Sequence, residues 1–251
     1  MTAAPTIAAY VYPGWHPCPL RAARLGRGWS EWELVRRARP RFAGQRQPRL
    51  PRGGCYDDSR PAEVEGRLRR ALAAGVDLFV FGWFWSNGRR PLAAALDRGF
   101  LGCPTGARAP FALMWANRMP HGVLPLKAPD PEGIDPRRRV HTSPADFTRL
   151  AAHLAARYFH RPNYWRPGGR PYLSIFDTTL FLRQLGREGA RRAVARAREE
   201  AGDFHLAAID PQPEWWGDLA PVGFDSVTHY VHLPVWKGGA PVQDYAGLTD
   251  M

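Results

Sequence analysis

The chain has 251 residues, 45% of them hydrophobic and ten of them Trp. At about 150 residues per domain this is one large domain or two small ones, with enough apolar mass to exclude a disordered chain. The net charge of +12 invites a nucleic-acid reading, but only Lys127 and Lys237 are lysines, the arginines are dispersed, and their longest run is Arg137-Arg138-Arg139. Without a basic stripe, phosphate-tracking chemistry is not expected.

No apolar run approaches the roughly 20 residues of a membrane span. Met1-Thr2-Ala3-Ala4-Pro5 lacks the layout of a signal peptide, so a cytoplasmic location is expected. Cys18, Cys55 and Cys103 are odd in number and form no Cys-x-x-Cys. They read as free thiols in a reducing compartment, not as a disulfide framework or zinc site.

In chain order, Thr6 to Tyr12 is a first strand, followed by a Pro- and Arg-rich connection over 13–61. Pro61-Ala62-Glu63 starts a helix to about Ala74, stopped by Gly75. Leu78 to Trp85 and Phe111 to Trp115 are the next strands. Ser143 and Pro144 form a capped helix start ahead of Phe147, Leu150, Leu154 and Tyr158 at helical spacing. Tyr172 to Phe176 is a fourth strand. Thr179 to Ala201 is a helix with an Arg- and Glu-rich solvated face, ended by Gly202. His205 to Ile209 and Ser226 to Val231 complete six strands.

Short, near-continuously apolar strands alternating with helices predict an α/β fold with a parallel sheet. A (β/α)8 barrel and an open doubly wound sheet both fit. No Gly-x-Gly-x-x-Gly follows the first strand, so the dinucleotide-binding version of the open sheet has no support. A single domain over 1–251 is expected, with no internal repeat or low-complexity linker.

In parallel α/β folds the chemistry gathers at the carboxyl ends of the strands. Those ends carry Tyr10, Tyr12 and His16; Trp83, Trp85, Ser86 and Asn87; Trp115 and Asn117; Asp177; Asp210 with Glu214-Trp215-Trp216 beyond; and His229, Tyr230 and His232. Aromatic rings offer flat apolar faces to sugar C–H patches, and amides, imidazoles and carboxylates bond hydroxyls, so the rim suits a carbohydrate. Core packing is the competing reading for each tryptophan. Asp177 and Asp210 are the best-placed carboxylates, although Asp177 also suits a helix cap and Asp210-Pro211 a turn. Glu31 and Glu33 lie in the first connection. A metal set drawn from His229, His232 and Asp225 rests on proximity alone, and no metal or cofactor is expected.

Six blocks in order resemble the WbsX-like family, a glycosyltransferase or glycoside hydrolase family 99-like domain of polysaccharide-biosynthesis loci. They are Trp29-Ser30-Glu31-Trp32 with Val35, Ala38, Pro40 and Phe42; Gly44 to Pro51 with Tyr56-Asp57; Gly75-Val76-Asp77 through Trp85-Ser86-Asn87-Gly88-Arg89-Arg90; Phe111 to Asn117; Tyr158 to Leu173; and Gly223-Phe224-Asp225. The resemblance implies a (β/α)8 TIM-type barrel and an activity on glycosidic bonds. With about six of the eight strands present, the barrel is expected to be C-terminally incomplete. Arg118 stands where the family commonly has Glu, and Gln45 where it has His. The family's later Asn-Glu-Trp-x-Glu-Gly run, whose two Glu suit acid/base work, does not occur.

The function expected on this basis is glycosyl hydrolysis or transfer in surface or capsular polysaccharide metabolism. Tyr12, His16, Trp83, Trp85, Asn87, Trp115, Asn117, His229 and Tyr230 would contact an oligo- or polysaccharide, and Asp177 and Asp210 are the candidate catalytic groups. The alternative is a non-catalytic carbohydrate-binding barrel or an inactive fragment.

Overall fold

A computed structural model describes residues 5–117, 140 and 142–230. Arg118, Val231 and His232 lie outside the described residues. Among those described, six strands form one all-parallel sheet whose spatial order follows the chain: β1 (Ala8–Val11), β2 (Leu78–Trp83), β3 (Phe111–Trp115), β4 (Tyr172–Ile175), β5 (His205–Ile209) and β6 (Ser226–Thr228). All six coincide with the apolar runs: Phe111–Trp115 and His205–Ile209 match residue for residue, and the other four are trimmed by up to a few residues.

The connecting helices are α1 (Pro19–Leu25), α2 (Trp32–Arg37), α3 (Pro61–Ala73), α4 (Pro144–Leu154), α5 (Thr178–Ala201) and α6 (Leu219–Val222). Local chemistry sets their ends. Gly75 at φ +90° closes α3, with its N–H bonded to the Leu72 carbonyl and that of Val76 to the Ala71 carbonyl. Ser143 Oγ accepts from the Asp146 N–H at the start of α4, and Asp177 Oδ1 accepts from the Leu180 N–H at the start of α5. Gly186 at φ 66° breaks α5 into two pieces, an interruption that the even charge pattern hides. Helices α1 and α2 lie inside the long first connection, where no helix is expected from the sequence.

Alternation along the strands separates two apolar layers. Phe79, Phe81, Trp83, Phe111, Leu113, Trp115, Leu173, Ile175, Leu206 and Ala208 face the helices and form the main core with Phe147, Leu150, Leu154 and Phe181. Leu78, Val80, Ala112, Met114, Tyr172, Ala207 and Ile209 form the second layer on the concave side. The sheet curls strongly. Tyr10 of β1 meets Tyr230, two residues past β6, with ring centroids 4.7 Å apart. The described residues therefore form a curled, incomplete (β/α)8 barrel with six of its eight strands.

Candidate functional site

The first strand delivers Tyr12 and His16 to the carboxyl-end rim, and both are fastened there. Tyr12 Oη donates to Glu31 Oε1 at 2.7 Å. Arg21 donates to the same Glu31 oxygen at 2.7 Å and to Tyr12 Oη at 2.9 Å. His16 is buried, with Nδ1 2.5 Å from Asp58 Oδ1, and the Trp15 N–H donates to the other Asp58 oxygen. A cleft of about 310 Å³ opens beside these pairs, near the lower bound for a small-ligand pocket. Tyr12, Trp15, Tyr56, Asp58 and Arg67 line it together with apolar residues that include Leu68, Phe79 and Phe81.

The next three strand ends are structural in geometry. Trp83, Trp85 and Trp115 are 3%, 5% and 0% exposed and sit in the layer between sheet and helices. Rings buried this way offer no face to a sugar, so the contact role expected for these three tryptophans has no surface to act through. Strand parity is the reason: odd-numbered positions of β2 and β3 point to the helices. Asn117 is 1% exposed, and its side-chain amide bridges β3 to β4, with Nδ2 donating to the Asp177 carbonyl and Oδ1 accepting from the Asp177 N–H. Asn87 is exposed on a turn at φ 48°, which Asn tolerates; its N–H donates to Asp146, which also accepts from Trp85 Nε1. The Asp177 carboxylate caps α5.

The open chemistry lies at the ends of β5 and β6. Asp210 adopts φ 41°, a left-handed conformation uncommon outside glycine. Hydroxyls of the β4–α5 junction hold it there from both sides: Thr178 Oγ1 accepts from the Ile209 N–H and Thr179 Oγ1 from the Gln212 N–H. So held, Asp210 Oδ1 meets His229 Nδ1 in a short contact, and Oδ2 accepts from the Tyr230 N–H at 3.1 Å. The two side chains remain 43% and 60% exposed. Phe176 packs edge-on against the far side of Tyr230, at 5.0 Å.

Tyr10 faces the same space. Burial, reinforced by Tyr172, Tyr230 and the Asp210 charge, pushes its phenol up to about 12. Tyr10 therefore stays a hydrogen-bond donor throughout the neutral range. Burial likewise raises Tyr12 and Tyr158 above the ordinary phenol value of about 10. An unfolded chain ionises these phenols first, so stability is expected to fall as pH rises above about 10. Melting temperature scanned from pH 8 to 12, with phenolate absorbance followed in parallel, checks this. Unfolding should precede full ionisation, and fully ionised tyrosines in a still-folded chain would contradict it.

Of the sequence-predicted residues, the structure brings Asp210, His229 and Tyr230 together, with Tyr10 added. It places Tyr12 and His16 in a neighbouring, part-buried network, and it directs the three tryptophans and Asn117 into packing. Arg21 and Asp58, the partners that fix Tyr12 and His16, escape sequence reasoning because their contacts span 9 and 42 residues. Among the described residues no group of His, Cys, Asp and Glu is arranged to hold a metal ion, and no helix is long and apolar enough to cross a membrane.

Six parallel strands feeding one polar, aromatic rim define a protein of the (β/α)-barrel class. The chain belongs to the glycosyltransferase WbsX family, whose profile matches residues 7–242. It is 30% identical over 238 residues to the uncharacterized protein WxcX of Xanthomonas campestris pv. campestris, in strains B100 and ATCC 33913, covering 90% of this chain. It spans about a third, 31%, of the length of those relatives. Two structures of the GH99 endo-alpha-mannosidase from Bacteroides thetaiotaomicron, one in complex with bis-tris-propane, share the fold at TM-scores of 0.52 and 0.55. Identities are 15% and 14%, over 92% of this chain and 62% and 60% of theirs.

Proposed function

We propose that this chain forms part of a site that hydrolyses or transfers glycosyl units of a surface polysaccharide, with Asp210 and His229 as its working pair. The observation that carries the reading is Asp210 itself, a non-glycine residue held in a left-handed conformation by two flanking hydroxyls so that its carboxylate meets an exposed imidazole. An imidazole oriented by a carboxylate is a proton-transfer arrangement. Tyr10 and Tyr230 flank the pair and supply a phenolic donor and ring faces. The WbsX family name and the mannosidase-like barrel support a saccharide as the substrate class.

Asp210→Asn and His229→Gln are each expected to reduce turnover about 10²–10⁴-fold while leaving the fold intact. The assay reads new reducing ends from α-mannan and bacterial O-polysaccharides, and released nucleoside diphosphate when sugar nucleotides are supplied as donors. Turnover unchanged in both variants would remove the pair from the mechanism.

A non-catalytic binding barrel is the second reading, and one observation favours it. Glycosidic cleavage commonly needs two carboxyl groups. Among the described rim carboxylates, Glu31, Asp58 and Asp177 are engaged in structural contacts, and Glu214 is paired with Arg183. Polysaccharide retention without new reducing ends or nucleotide release would select this reading.

A further inference from the structure

Among the described large apolar side chains, Trp216 is the most exposed. Trp216 is 64% exposed, whereas Trp83, Trp85 and Trp115 are buried. Leaving an indole in water forgoes the apolar burial that stabilises the core. A mobile surface loop commonly tolerates this, but the loop here is pinned throughout. Trp216 Nε1 donates to the Pro211 carbonyl at 2.9 Å, so the ring is tethered one residue beyond Asp210. The Trp215 N–H bonds the Gln212 carbonyl within the turn. Arg183 of α5 donates to both Gln212 Oε1 and Glu214 Oε1, at 2.6 and 2.8 Å. Thr179 holds the Gln212 N–H, and the Arg187 guanidinium lies 5.6 Å from the centroid of the adjoining Trp215 ring.

We infer that Trp216 is a preorganised stacking platform for a pyranose ring of the polysaccharide, next to the sugar unit that meets Asp210 and His229. This inference rests on the proposed function and extends it. The Trp216 ring has two χ angles, and the hydrogen bond from its nitrogen already restricts them, so little side-chain entropy remains to be lost on binding. Its apolar face suits the C–H patch of a sugar, while the side-chain NH2 of Gln212, whose amide oxygen Arg183 already holds in place, is a donor on the same turn for a flanking hydroxyl. A platform beside the reacting position implies a ligand longer than one sugar unit, that is, a chain and not a free monosaccharide.

The test measures binding of the chain, and of Trp216→Ala and Trp216→Phe, to an array of immobilised bacterial surface polysaccharides and mannans. Melting temperatures are recorded for each variant. The expected result is wild-type binding to one or more polysaccharides, at least a tenfold loss in Trp216→Ala, and only a few-fold loss in Trp216→Phe. Melting temperatures should be unchanged, because the ring is exposed. Wild-type binding that Trp216→Ala retains in full overturns the platform and leaves the proposed function standing. Absence of wild-type binding to every glycan overturns both. A wild-type dimer that Trp216→Ala dissociates in sedimentation gives the ring to a second copy of the chain and overturns the platform.

Discussion

Trp115→Ala is expected to destabilise the protein by about 3–5 kcal/mol, a large fraction of the roughly 5–15 kcal/mol that holds a folded domain together. Trp115 is 0% exposed, and its ring centroid lies 5.7 Å from that of Phe147 in α4 and 6.2 Å from that of Phe181 in α5. Its Nε1 donates to the Trp85 carbonyl at 3.3 Å, so truncation opens a cavity and also orphans a buried acceptor. The cavity sits where β3, α4 and α5 meet. Urea unfolding measures the loss. Polysaccharide affinity per folded molecule should not change, because the ring faces the helices. A variant that folds normally but binds saccharide tenfold less tightly would return Trp115 to the site.

The second large effect belongs to the first connection. Arg21→Met is expected to cost about 3–5 kcal/mol, because it leaves Glu31 in a buried position without its counter-charge. The two side chains are 7% and 10% exposed and 2.7 Å apart. The double variant Arg21→Met with Glu31→Leu should regain much of that loss, since neither charge is then stranded. Denaturant midpoints for the two single variants and the double variant supply the coupling. Additive losses would mean that water reaches the pair and that the connection is held by something else. Loss of the pair should also loosen Tyr12, because both partners bond its hydroxyl.

The period of the strands was legible, and so was their number. Buried parallel strands must be apolar on both faces; the residues at 78–83 and 111–115 satisfy that without a polar side chain, and those at 172–175 with Ser174 as the single exception. The face on which each side chain falls was also encoded, but in size and not in polarity. In β2 and its continuation, Phe79, Phe81, Trp83 and Trp85 alternate with Leu78, Val80, Gly82 and Phe84. In β3, Phe111, Leu113 and Trp115 alternate with Ala112 and Met114. The bulky set fills the wide layer against the helices, and the smaller set fits the concave side. Reading the tryptophans as strand-end residues without that parity assigned them to the ligand.

The polar site was legible in part. Asp210, His229 and Tyr230 stand out as strand-end residues, but their convergence depends on how far the sheet curls. Nothing local in residues 205–230 encodes the approach of Tyr10, which comes from the other edge of the sheet. The first connection was the least legible. Its helices α1 and α2 are short, and Arg21, Glu31 and Asp58 acquire meaning only through partners far along the chain. A buried Arg and an exposed one are the same letter in a sequence so rich in arginine.

The spatial order of the strands, identical to their order in the chain, also bears on how the protein assembles. None of the six described strands has to be inserted between two that are already paired. Each emerging strand–helix unit adds to the edge left by its predecessor, so assembly can proceed from the N-terminus as the chain leaves the ribosome. Most pairings then close loops of modest length and entropy cost. The meeting of Tyr10 with Tyr230 is the exception, since it joins segments 220 positions apart and needs every intervening strand in register. That contact belongs to the end of folding. The Asp210–His229 pair spans only 19 positions and needs just β5 and β6, so Tyr10 is the last of the group to arrive.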